Sequence, residues 1–244
     1  MNVGERRLSR PERRRRHDLP WDYWIDGRIW PAIFALLAIL LVLLVVTSPS
    51  RRQVGEAVAD SSPGGALFAG VFLLVFGIAA ITLGQAEAGW HNRLPWRGSL
   101  LHLVARVAWV LLLTLPFWLV LSFVLSLEAA RLPLALGYLW LFGTVLALFG
   151  WWLSLTGASE LVQFNAKYLA FFAWLFGSLF LPGLRLLSPF AALEYALWGA
   201  IPEGWSPLAA GLLWLGLGGL LTAATRRRWR KFSLEWEEPW KRST

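Results

Sequence analysis

Six stretches of this chain run for 17 to 28 residues without a single Asp, Glu, Lys or Arg. They are Ile29 to Ser50, Ser61 to Ala86, Val107 to Leu127, Leu132 to Ser159, Tyr168 to Leu184 and Gly204 to Thr225. A helix needs ~20 apolar residues to cross ~30 Å of hydrocarbon. The shortest stretch reaches that length if its helix extends inward to Leu161, with Lys167 snorkelling to the headgroups. None alternates apolar and polar residues as a membrane-barrel strand does. Backbone groups in lipid must bond within their own segment, so the windows predict helices. Composition agrees: 57% of residues are hydrophobic and 16% charged, where a soluble domain carries about 25% charged residues. An ordinary soluble globule and a disordered chain are both excluded. The fold class expected is an all-α integral membrane protein with six transmembrane helices. The first window's apolar run, Ile29 to Val46, is too long for a signal-peptide core of 7–15 residues and reads as a retained span.

Charge supplies the orientation. Residues 1–28 hold eight Arg, and the tail from Arg226 holds seven basic residues. Basic segments beside spans stay cytoplasmic, so both termini are expected inside, which requires an even number of spans. With six spans, 19 basic residues lie on the inner side and four, Arg51, Arg52, Arg131 and Arg185, on the outer side. The organisation expected is a basic N-terminus over 1–28, a transmembrane domain over 29–225 and a basic tail over 226–244. The run Arg13 to Arg16 could serve nucleic acid. Its place just before a span favours anchoring to anionic headgroups, with no nucleic-acid partner.

Three segments outside the windows have their own character. Asp18 to Arg28 predicts an interfacial helix, capped by Asp18, with Trp21, Trp24 and Arg28 at helical spacing. Gln85 to Arg106 is the largest inner loop; Leu94-Pro95 breaks it and Ser99 is placed to cap the helix that follows. Arg185 to Ser206 is too short to cross and too apolar for a solvated loop. Ser188-Pro189 is a helix start, Phe190, Leu193, Leu197 and Trp198 follow at helical spacing, and Pro202 and Gly204 end the segment. An outer interfacial or re-entrant helix fits; so does a surface helix whose apolar side caps the bundle. Most of the 17 Trp residues fall near span ends, as aromatic belts require.

The absent chemistry narrows function. Every Asp, Glu, Lys and Arg can be placed outside the hydrocarbon core, whereas ion-coupled transporters carry intramembrane carboxylates. The chain has no cysteine, no HExxH helix and no Gly-rich phosphate loop. Glu87 and His91 are one turn apart but lack a third metal ligand, so no metal site is assigned. Trp151-Trp152 is followed by Leu153, so the Trp-rich haem-handling motif ending in Asp is missing. The chain reads as a non-enzyme without a cofactor of its own. If it moves anything uphill, another subunit supplies the energy.

The order of these features resembles the type-2 ATP-binding cassette (ABC) exporter permeases. In that family an acid, a Gly and a Leu/Pro stretch follow span two before a basic residue opens span three; here stand Glu87, Gly89, Leu94-Pro95 and Arg106. A Ser-Pro step with a short outer helix precedes the last span, as at Ser188-Pro189, and the last span enters a basic tail. The likeness covers residues 18–232 and rests on order and spacing more than on identities. The inner loop departs from the pattern in being compact and Trp-rich.

The resemblance implies a multi-pass protein of the prokaryotic cytoplasmic (inner) membrane. It implies pairing with a second permease copy or a homologous permease, and docking of two ABC ATPase subunits that hold ATP and Mg. Glu87, Gly89, Trp90, Arg93, Trp96 and Arg97 would form the ATPase-coupling loop, beside the interfacial helix of Trp21, Trp24 and Arg28. Pro189, Leu193 and Leu197 would belong to an outer gate helix. Gln163, Asn165 and Ser178 are the candidates for pathway lining, or simply bond neighbouring helices. Apolar spans suggest a lipid-like or amphipathic cargo. Two alternatives stay open: a non-transport structural subunit of a larger membrane complex, and a haem-exporter-type permease of cytochrome c maturation.

Overall fold

The computed structural model describes residues 63–88, 95–124, 127–128, 130–199, 201 and 205–241, together with helical residues 38–39. The expected first span, the interfacial helix of Trp21, Trp24 and Arg28, and Gly89, Trp90, His91 and Arg93 lie outside the described residues. Among those described, the fold is all-helical. The helices are α1 (Pro63–Glu87), α2 (Trp96–Val124), α3 (Arg131–Ser154), α4 (Glu160–Phe180), α5 (Pro189–Trp198) and α6 (Pro207–Lys241), with a 3-10 turn over Pro182–Leu187. Four stretches are long and apolar enough to cross a membrane: Leu67–Glu87, Trp96–Phe123, Arg131–Ser154 and Pro207–Lys231. Most of the fifth sequence window, Tyr168 to Leu184, lies in α4, a 21-residue helix made more polar by Gln163, Asn165 and Lys167, and its last residues enter the 3-10 turn.

The central helix is α3, which touches α1, α2, α4, α5 and α6. Its closest neighbour is α1. A methyl group on Gly84 would overlap the carbonyl oxygen of Ala147, and one on Gly150 would overlap the carbonyl oxygen of Ile81. Helices in lipid gain little from hydrophobicity, so such backbone-to-backbone approach, with the dispersion it permits, is what joins them. Elsewhere the interior is aromatic. Trp118 of α2 meets Phe72 of α1 edge-on at 4.8 Å, and Phe142 of α3 meets Trp214 of α6 at 5.4 Å. Aromatic belts therefore account for only some of the tryptophans: Trp118 and Trp214 are core residues, 0% and 2% exposed.

Several boundaries differ from those read in the sequence, three of them with consequences. α2 begins at Trp96, eleven residues before its charge-free window. Ser99 is consequently inside the helix, donating its N–H to the Pro95 carbonyl, and does not cap it. The supposed long inner loop is mostly the ends of α1 and α2. α5 ends at Gly199, whose φ of +73° gives a left-handed cap before Pro202 is reached. The final window and the basic tail form one helix, α6, of 35 residues and about 50 Å.

The short helix α5 starts as its sequence implies. The Ser188 hydroxyl accepts the Ala191 N–H at 3.3 Å, with Pro189 in the first turn. Its apolar side turns into the bundle. Ala191, Ala192, Leu193, Ala196 and Leu197 are buried against the bundle, chiefly on α3. At its far end the Arg131 guanidinium crowds Gly199, beside the helix C-terminus, where a cation is favoured.

Candidate functional site

One end of the bundle gathers the C-termini of α1 and α3, the N-termini of α2 and α4, and the basic part of α6. Its polar centre is Glu87, the last residue of α1, which is 0% exposed. A carboxylate so placed requires a cation or hydrogen-bond donors, and α2 supplies both. His102 Nδ1 lies 3.1 Å and 3.3 Å from the two Glu87 oxygens, and an Arg106 nitrogen lies 3.5 Å from one of them. His102 and Arg106 are one turn apart on α2, so both reach a single acceptor. The triad also explains the early start of α2. Arg106 ends a charge-free window, but a neutralised charge does not end a helix.

Around the triad the helix ends are tied together. Trp96 stacks on Trp151 of α3 at 4.8 Å, and Trp229 of α6 meets Trp151 at 5.4 Å and Trp96 at 5.9 Å. The Ser154 hydroxyl of α3 donates to the Gln85 carbonyl at 3.3 Å. Lys167 of α4 turns inward to Gln85 Oε1 at 3.3 Å, with the Tyr168 ring 4.8 Å from its ammonium. It is 8% exposed, so it does not snorkel to the surface as the sequence suggested.

The residues singled out in the sequence are thus distributed unevenly. Glu87 and Trp96 sit in one cluster but face the interior, occupied by His102, Arg106 and Trp151. Arg97 is exposed at the start of α2. Gln163 donates its amide to the Ala158 carbonyl at 2.8 Å, Asn165 is exposed, and buried Ser178 donates to the Leu175 carbonyl of its own helix at 2.9 Å. These three do not form a shared polar lining. Pro189, Leu193 and Leu197 are buried together in α5. The sequence reading overlooked His102 and Arg106 as partners of Glu87. Their i,i+4 spacing, one connection away from a lone acid, is the signal that could have found them.

No group of three or more metal-ligating side chains occurs among the described residues. The larger cavities are apolar grooves: one of about 340 Å³ between α2 and α3, walled by Leu112, Leu115 and Trp140, and one of about 180 Å³ between α3, α4 and α6. No family model, curated protein or solved structure matches the chain.

Proposed function

We propose that this chain is the membrane-spanning permease subunit of an ATP-driven exporter, working as a pair of permeases with two separate ABC ATPase subunits. The observation that carries the reading is the tied end of the bundle. The Glu87–His102–Arg106 triad and the Trp96–Trp151–Trp229 stack join α1, α2, α3 and α6. A force applied to the connection between α1 and α2 is therefore passed to four helices together. A permease that receives its energy at one face needs such a coupling.

In this reading α4 is a further span, residues 29–50 supply another, and both termini are cytoplasmic. Glu87 and Trp96 are positioning residues that hold the coupling segment, while Arg97 and the 89–94 connection meet the ATPase. ATP-driven closure of the cassettes would move the tied helix ends and open a path for a lipid-like or amphipathic cargo between the two permeases. ATP and Mg would be held by the partner subunits.

The experiment is purification of the tagged chain from its native membrane in mild detergent. A nucleotide-binding protein in equal stoichiometry is expected, and Arg97→Glu should weaken its attachment without loss of the folded bundle. A stable native complex lacking any nucleotide-binding protein would overturn the permease reading. The structural-subunit alternative would then stand. It is favoured by one feature, an interior filled by Trp118, Phe142, Trp174 and Trp214.

A further inference from the structure

The groove between α3, α4 and α6 is apolar along its length, and basic residues of α4 and α6 lie beyond one end of it. Its walls are Val145 and Phe149 of α3, Ala170 and Trp174 of α4, and Leu217 and Leu221 of α6. Each wall can be followed one or two turns toward the basic end of the bundle. On α3, Trp152 stands one turn beyond Phe149, stacked with it at 6.1 Å. On α6, Arg228 stands two turns beyond Leu221, and its guanidinium lies over the Trp152 ring at 4.5 Å. On α4, Lys167 stands one turn before Ala170. By helical register the apolar trough points toward two cations, Arg228 on the Trp152 ring and Lys167, which turns inward to Gln85.

Neither cation is neutralised by a carboxylate among the described residues. The Lys167 ammonium has three N–H donors and one neutral hydrogen-bonding partner, the Gln85 amide oxygen. Holding an ammonium 8% exposed without an anion is costly unless an anion arrives from elsewhere. Arg228 stacks on an indole, an arrangement that leaves guanidinium edges to bind a phosphate in fork geometry.

We propose that this groove seats an anionic phospholipid. One acyl chain lies along Val145, Phe149, Trp174, Leu217 and Leu221, and the phosphate is held by Arg228 and Lys167. The trough excludes a purely polar ligand, and the two cations distinguish an anionic lipid from a zwitterionic one, whose own ammonium competes for the phosphate. The seat bridges α4 and the weakly packed α6, so its lipid would act as a filler between those helices.

The test uses the full chain in detergent with a photoreactive phosphatidylglycerol that carries a diazirine midway along one acyl chain. Adducts are expected in peptides 145–152, 167–174 and 217–228. Competition by unlabelled phosphatidylglycerol should be strong and by phosphatidylcholine weak. Lys167→Met and Arg228→Gln should each lower labelling about tenfold, the loss expected for one charge-assisted contact. Both variants remove a charge and keep most of the stem, and unchanged thermal unfolding would separate lost binding from lost fold. Equal competition by phosphatidylcholine would overturn the proposal. Displacement by inorganic phosphate alone would reassign the cations to a free anion. Labelling confined to other helices would mean that the groove is filled by another protein segment.

Discussion

Helices α3 and α6 are both long, apolar and glycine-bearing, yet they live in different surroundings. In α3, 44% of the most apolar window is buried inside the bundle; in α6 the share is 17%. Gly143 and Gly150 of α3 face Phe76 and the Ile81 carbonyl, with no room for a methyl group. Gly211, Gly216 and Gly219 of α6 have nothing within 4 Å of where a Cβ would stand. Leu208, Leu212, Leu215 and Leu220 of α6 are 60–80% exposed. Apolarity therefore makes both helices able to cross a membrane but does not decide which becomes the axis. That is decided by where a small residue finds another backbone to meet.

The sharpest way to break this contrast is at the α1–α3 seam. Gly150→Leu would force a side chain into the Ile81 carbonyl, where only backbone movement gives relief. The expected cost exceeds about 4 kcal/mol, a size reserved for core disruption. The readout is loss of monodisperse protein on size exclusion. Gly216→Leu on α6 should yield normal protein. If both behave alike, α3 is not the axis of the fold.

Next in size is the attachment of α6 itself. Few of its described side chains are buried; the two large ones are Trp229, in the stack with Trp96 and Trp151, and Trp214, 2% exposed and packed on Phe142 and Trp174. Trp214→Ala should cost about 3 kcal/mol by the usual penalty for a large-to-small core change. Leu212→Ala, on the exposed side, should stay within about 0.5 kcal/mol. Thermal unfolding in one detergent compares the two directly.

A smaller effect is expected at α5, which packs on α3 and ends beside its first residue, Arg131. Ser188 is 2% exposed, and its hydroxyl accepts the Ala191 N–H. Ser188→Ala should cost about 1 kcal/mol, the ordinary value of an N-cap, and Ser188→Asp should recover part of it. Hydrogen exchange of the α5 amides would report the loosening locally. Unchanged exchange in Ser188→Ala would show that burial of Leu193 and Leu197, and not the cap, fixes this helix.

Much of this architecture is legible in the sequence, and the failures share a cause. Charge-free windows locate α1, α3 and the apolar part of α6 because unpaired charges do not enter lipid. The same rule misplaces the start of α2, since Arg106 is paired with Glu87 and the helix runs on through it. It also sends Lys167 to the surface, where the fold offers Gln85 instead. Ser188-Pro189 marks α5 correctly because a cap is a local interaction. The side to which α5 turns its leucines depends on α3 and is not local. Glycine number would mislead further: α6 carries four glycines and α3 three, yet the close seam is between α1 and α3. Partners across space, not composition along the chain, separate these cases.

The smallest expected effect is the most informative about the open face of α6. Gly216→Ala adds one methyl group to a helix position with no neighbour within 4 Å. In water an Ala for Gly exchange stabilises a helix interior by about 0.8–1.0 kcal/mol. In a membrane the separated helix stays helical, because its backbone has no other way to satisfy its hydrogen bonds. The propensity gain then largely cancels between the associated and separated states. A shift within about 0.5 kcal/mol is expected where lipid covers this face. The measurement is thermal unfolding of Gly216→Ala and Gly219→Ala in lipid nanodiscs, beside the parent chain. A loss of 1 kcal/mol or more in both variants would mean that a helix approaches closely enough for a methyl group to matter. The open glycines of α6 would then be the counterpart of the α1–α3 seam, and the contrast between the two helices would disappear in the assembled protein.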